Sequence, residues 1–203
     1  MTRRLSRWAC LAGLLCAAGT ALAQAAAPAS EATPLAPAAG TAPAPDARPE
    51  LTQALPQAIF VGTSRLTVWG FQVYDARLWA PASFAAASYA TSPVALELTY
   101  LRDFKALDIA ERSLKEMRRS QPISGAQAAQ WKADMLRVIP DMEKGQRVMG
   151  VHRPGRGAAF WVNGRASGEI RDAEFAKLFF GIWLSPKTSE PQLRAALLGG
   201  AGE

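Results

Sequence analysis

The sequence has few of the side chains on which most hydrolytic and metal sites are built. Two cysteines and one histidine, His152, are the only thiol and imidazole groups among its 203 residues. A Ser-His-Asp triad or a zinc site with several histidine ligands needs more than these, so both classes are disfavoured. We expect no metal and no cofactor. His152 precedes a Pro-Gly turn, and we interpret it as a solvated turn residue.

Long apolar runs are also missing, except at the N-terminus. Elsewhere no run reaches the ~20 residues that a membrane-spanning helix needs. Residues 1–23 combine three early arginines, an uncharged Ala- and Leu-rich stretch, and the small-residue site Ala21-Leu22-Ala23. This layout is typical of a secretory signal. We predict a Sec-type signal peptide cleaved after Ala23, a periplasmic location and no stable membrane span afterwards; a single membrane anchor is the alternative.

Removal of this segment would change both the thiol content and the charge. Both cysteines and three arginines would be lost, and the formal net charge would fall from +6 to +3. The remaining chain would contain no thiol, so neither a disulfide nor a thiolate site could form. The basic run from Lys115 to Arg119 is diluted by Glu116 and has no aromatic partner, which is typical of a solvated helix face. We therefore expect no nucleic-acid partner.

Residues 24–50 lack aromatic side chains and contain 11 alanines and 6 prolines among 27 positions. Such a segment cannot bury enough apolar surface to offset its chain entropy. We predict a disordered Ala/Pro-rich linker over 24–50 and a single folded domain over 51–203, a length sufficient for one core.

The folded part alternates between strand and helix patterns. Residues 94–101 place Val94, Leu96, Leu98 and Tyr100 on one face and Glu97 and Thr99 on the other, which predicts an antiparallel strand with one solvated face. Residues 66–79 are predicted as a strand run with a bulge or break at Gly70. Helices are predicted over 106–119, after Ser124, after Asp172 and from Ser189 to Leu198, with a hairpin turn at Asn163-Gly164. This order predicts an α+β fold, with helices on one face of a large antiparallel sheet.

Three stretches carry a family resemblance. They are Gly62-Thr-Ser-Arg65 leading into Val73-Tyr-Asp-Ala-Arg-Leu-Trp79, then Leu96-Glu-Leu-Thr-Tyr-Leu-Arg-Asp103, and finally Phe175-Ala-Lys-Leu-Phe-Phe-Gly-Ile-Trp-Leu184. Their order and spacing resemble the bacterial exported chalcone isomerase-like family over nearly all of residues 51–203. The resemblance implies the chalcone isomerase fold, in which a ligand cleft lies between the sheet and a helix layer.

The resemblance also implies candidate site residues. In the plant enzymes an arginine just before the Val-Tyr strand polarises the substrate ketone, and Arg65 is the position most similar to it. The threonine that assists there corresponds to a place near Trp69, with Thr67 two residues away; this departure disfavours flavonoid cyclisation. Many relatives of this fold resemble non-catalytic binders of fatty acids or other apolar ligands.

The candidate ligand-binding residues are Arg65, Trp69, Tyr74 and Tyr100, and Arg65 is the candidate catalytic residue. A guanidinium can polarise a carbonyl or clamp a carboxylate, and a phenol can donate to a ligand carbonyl. The alternatives are a surface-paired Arg65 and tyrosines that only pack in the core. The leading hypothesis is a binder of a small apolar or amphipathic carboxylate or carbonyl ligand. The other two hypotheses are an isomerase that uses Arg65 to stabilise an oxyanion and an envelope scaffold with exposed Trp side chains.

Overall fold

The computed structural model describes residues 48–199 of the chain. The predicted signal peptide, and the linker prediction for residues 24–47, lie outside this range. The elements in chain order are α1 (Pro49–Ala54), β1 (Ile59–Val68), β2 (Phe71–Ala80), a 3₁₀ turn (Ala86–Ser88), β3 (Val94–Tyr100), α2 (Ala106–Met117), α3 (Gly125–Val138), β4 (Arg147–Arg153), β5 (Gly157–Val162), β6 (Arg165–Ile170), α4 (Ala173–Leu184) and α5 (Pro191–Leu198).

The six strands form one antiparallel sheet in the order of the sequence, β1 to β6. Strands that follow one another pair directly, so each connection closes a hairpin or holds a helical insertion. The predicted α+β fold with a large antiparallel sheet is confirmed. Within residues 48–199, no helix has the length and apolar character needed to cross a bilayer.

The first hairpin decides between the two alternatives predicted at Gly70. The strand run breaks there and has no bulge at Gly70, because the chain reverses through Trp69 and Gly70, whose φ angles are +50° and +83°. Two consecutive positive φ angles are the signature of a tight two-residue hairpin turn. β1 therefore ends at Val68, and β2 begins at Phe71.

Helices α2 to α5 lie on one face of the sheet, and their termini follow local sequence signals. The Ser124 hydroxyl accepts a hydrogen bond from the Gln127 amide, and the Gln127 side chain accepts one from the Ser124 amide, which confirms the predicted capping box of α3. The Asp172 carboxylate caps α4 by accepting from the Phe175 amide. The last helix begins at Pro191 rather than Ser189. The main core fills the space between these helices and the sheet.

The other face of the sheet is covered by α1 and the residues that follow it, which the sequence did not predict. Leu51 and Leu55 pack on a second apolar cluster that contains Trp79, Met149 and Trp161. Residues 48–50 are therefore part of the folded domain and not of the linker. The solvated face predicted for β3 is wrong, because Glu97 on that face has no exposed surface at all.

Candidate functional site: a cavity between sheet and helices

A cavity of about 410 Å³ lies between the sheet and helices α2 and α4. Its walls are mainly aliphatic and aromatic, and its volume falls within the ~300–1,000 Å³ range of small-molecule sites. The sheet contributes Leu66, Leu98 and Phe160, and the helices contribute Ile109 and Phe180. The expected hollow between the sheet and its helix layer is therefore present in the structure.

Strand alternation explains which side chains face this cavity. In β3, Leu96, Leu98 and Tyr100 line the cavity, while the residues between them face the α1 side of the sheet. In the pairing register, Tyr74 of β2 lies opposite both Leu66 of β1 and Tyr100 of β3. The two tyrosines named from the sequence are thus neighbours on the cavity wall, with ring centroids 6.3 Å apart.

The hydroxyl groups of these tyrosines are polar features of a mainly apolar wall. The indole nitrogen of Trp183 donates a hydrogen bond of 2.9 Å to the Tyr74 oxygen. The Tyr74 proton then has no acceptor among the described residues, and the Tyr100 hydroxyl has no hydrogen-bond partner there. Burial raises the pKa of both Tyr74 and Tyr100 well above the ordinary value. Both phenols therefore stay neutral near pH 7, and each can donate to a ligand acceptor.

Charged side chains lie along one side of the cavity. Arg112 of α2 donates to Glu116 one helical turn later at 2.9 Å. The charges of Glu190, Arg112 and Glu116 all act on the Tyr74 hydroxyl, and two of the three are negative. Arg102 lies over the Phe71 ring, with its guanidinium carbon 5.0 Å from the ring centroid. Arg112, Arg102 and Trp183 were not predicted as site residues. The i, i+4 spacing of Arg112 and Glu116 is the one sequence signal that could have indicated part of this arrangement.

Arg65 does not lie where the sequence prediction placed it. Its neighbours Leu66 and Val68 line the cavity, whereas Arg65 is not among the lining residues. Its guanidinium donates to both carboxylate oxygens of Asp75, at 2.6 and 2.8 Å, and to the Gln72 side chain. Adjacent strand residues point to opposite faces of a sheet, so Arg65 lies on the face opposite to that of Leu66 and the cavity. The pairing with Asp75 holds it there. The expectation of a guanidinium from Arg65 at the cavity mouth is thus corrected.

Trp69 borders the cavity at the tip of the first hairpin. Its side chain is 93% exposed, so it does not contribute to the core. Three of the four sequence-predicted residues, Trp69, Tyr74 and Tyr100, are therefore brought together by the structure. Among residues 48–199, no group of three or more His, Asp or Glu side chains is placed to hold a metal ion.

His152 is not the solvated turn residue that the sequence indicated. It lies in β4, is 1% exposed, and its ring centroid lies 5.2 Å from that of Phe180, which lines the cavity. Its Nδ1 lies 3.1 Å from the Ser92 carbonyl oxygen, which can only accept, so Nδ1 carries the proton. Burial lowers the pKa of His152, because the charged imidazolium would be poorly solvated there.

The stability of the protein is therefore expected to fall as the pH drops through about 6.5, the pKa of histidine in an unfolded chain. Below that pH the unfolded state binds a proton that the folded state takes up only at lower pH, so acid favours unfolding. Urea unfolding between pH 5 and 8 measures this slope, and the His152→Gln variant should lose it. Because the sequence has a single histidine, an unchanged slope in the variant would show that this assignment is wrong.

Two comparisons with known proteins agree on the fold. A crystal structure of a fatty-acid binding protein from Arabidopsis thaliana is similar in fold, with a TM-score of 0.55. The alignment covers 71% of this chain and 88% of that one, at 9% sequence identity. No curated protein sequence gives a significant match.

The family follows from the sequence match itself. The chalcone isomerase-like family matches residues 61–199, which is more than half of the chain. The protein belongs to this family, as the resemblance of its three sequence stretches indicated, and its six-stranded sheet with the helix layer has the corresponding fold.

Proposed function

We propose that this protein is exported and binds, without catalysing a reaction, a small apolar or amphipathic ligand that carries a carbonyl or carboxylate group. A fatty acid is the simplest ligand of this class. The location remains a prediction from the N-terminal sequence pattern. The solved Arabidopsis structure supports the choice, since a fatty-acid binding protein shares this fold.

The observation that carries the proposal is the unmatched donor inside the apolar cavity. The indole N–H of Trp183 donates a hydrogen bond to the Tyr74 oxygen. The phenol proton of Tyr74 therefore remains available for another acceptor. A buried polar group without a partner costs free energy, which a ligand oxygen would relieve. An aliphatic chain would fill the space lined by residues such as Leu98 and Phe180.

The structure provides less support for the two other functions. An isomerase that uses Arg65 needs this guanidinium in contact with the substrate, and Arg65 is paired with Asp75 outside the cavity. A scaffold would need no hollow of about 410 Å³ between sheet and helices. The binding function accounts for both the volume and the phenol donors.

Replacing Tyr74 with phenylalanine is expected to weaken the binding of hexadecanoic acid by about 3- to 10-fold. One neutral hydrogen bond contributes about 0.5–1.5 kcal/mol, and 1.4 kcal/mol corresponds to a factor of ten. Isothermal titration calorimetry measures the dissociation constant. Tyr89→Phe is the matched control, because Tyr89 does not line the cavity. Equal affinities for the two variants would refute the anchoring role of Tyr74, and no saturable binding to the unsubstituted protein would refute the function.

A further inference from the structure

The turn of the first hairpin combines two features that are unfavourable for the fold. Trp69 adopts a φ of +50°, a left-handed conformation in which Asn, Asp or Gly is the usual residue. Its indole is also 93% exposed. Among the described residues the Trp69 ring has no aromatic neighbour within contact distance, and its N–H has no acceptor. Backbone strain without a compensating contact within the fold points to a role outside it.

The surroundings of Trp69 indicate what kind of surface this turn would contact. Phe71, two residues later, is 59% exposed, and Arg102 lies over its ring. No carboxylate among the described residues forms an ion pair with Arg102. Exposed aromatic rings beside an unpaired cation match the interface of a bilayer, where indole lies at headgroup depth and a guanidinium meets anionic lipids.

The position of these three side chains connects them to the cavity. Trp69, Phe71 and Arg102 all border the same opening that leads to the apolar wall. An apolar ligand has little solubility in water and is stored in lipid, so an entry beside a lipid contact shortens its path. A stable dimer buries about 800 Å² on each partner, and three side chains provide less than that.

We propose that Trp69, Phe71 and Arg102, here called the hairpin-tip surface, dock on an anionic lipid bilayer from which the ligand enters the cavity. The proposal rests on the binding function above. It assigns to Trp69 a contact with the lipid surface, which accounts for its exposure and for a tryptophan at a left-handed turn position.

Flotation with vesicles of phosphatidylcholine containing 30% phosphatidylglycerol tests this docking with the full chain. The unsubstituted protein is expected to float with these vesicles and less with pure phosphatidylcholine. Trp69→Asn should weaken vesicle binding at least tenfold without lowering the urea midpoint, because Asn suits the left-handed conformation. Leu136→Asn is the control, since Leu136 is 41% exposed on α3, away from the cavity lining.

Equal flotation of the Trp69→Asn and Leu136→Asn variants would overturn the docking proposal, as would no flotation of the unsubstituted protein. A dimer in size-exclusion chromatography that Trp69→Asn dissociates would replace the bilayer with a second copy of the chain. Calorimetric titration with hexadecanoic acid, in the absence of vesicles, separates the two claims. Ligand binding without flotation contradicts only the docking, whereas flotation without ligand binding contradicts the binding function.

Discussion

Replacing Leu98 with tryptophan is expected to reduce the affinity for hexadecanoic acid at least tenfold while the protein still folds. Leu98 lies in the central part of β3 and lines the cavity. The larger indole would occupy the space that the ligand chain needs. Overpacking of a core costs about 1–3 kcal/mol of stability, and the empty volume beside Leu98 places this substitution at the lower end. Calorimetric titration gives the affinity, and urea unfolding gives the stability.

The neighbouring residue provides the control for this substitution. Thr99 is adjacent to Leu98 in β3 but is not among the residues that line the cavity. Thr99→Trp adds the same indole on the opposite face of the same strand, and the affinity should stay within about twofold. If both variants lost affinity equally, the ligand would not occupy this cavity.

Replacing Glu97 with alanine is expected to lower the free energy of unfolding by about 3–5 kcal/mol. The Glu97 carboxylate accepts two hydrogen bonds from Arg48, at 2.7 and 2.9 Å, and one of 2.7 Å from Arg147. Arg147 also pairs with Glu50, which is 2% exposed. Without Glu97, the Arg48 and Arg147 guanidinium groups would both lose a carboxylate partner in a site with little access to water. Urea unfolding measures the loss.

The exposed pair on the adjacent strand is the control for this stability prediction. Asp75 pairs with Arg65, and their side chains are 32% and 46% exposed. A solvent-exposed ion pair contributes about 0–1 kcal/mol, so Asp75→Ala should cost no more than that. A Glu97→Ala variant as stable as Asp75→Ala would show that the buried ion-pair network does not hold α1 on the sheet.

Local sequence patterns predicted the elements whose determinants are close together in the chain. The capping residues Ser124 and Asp172 start their helices as expected, because each cap bonds to an amide three residues later. The alternation in β3 placed Tyr100 correctly on the cavity side. The Trp69-Gly70 turn was missed, because a tryptophan at the first turn position hides the usual hairpin signal.

Features set by contacts between distant residues could not be predicted from such patterns. Glu97 looked like a solvated strand residue, since its partners Arg48 and Arg147 lie about 50 residues away in either direction. The family resemblance indicated Arg65 as the site cation, but strand alternation turns it away from the cavity. Both tyrosines lie on the cavity wall, because their positions follow from the period of two along β2 and β3.

Photo-crosslinking with a hexadecanoic acid that carries a diazirine in its chain tests most directly whether the ligand lies between sheet and helices. Peptide mapping by mass spectrometry should find the label on wall residues such as Leu98, Phe160 and Phe180, and labelling should saturate at one molecule per chain. Labels confined to the α1 side of the sheet, or labelling that never saturates, would contradict the cavity as the ligand site.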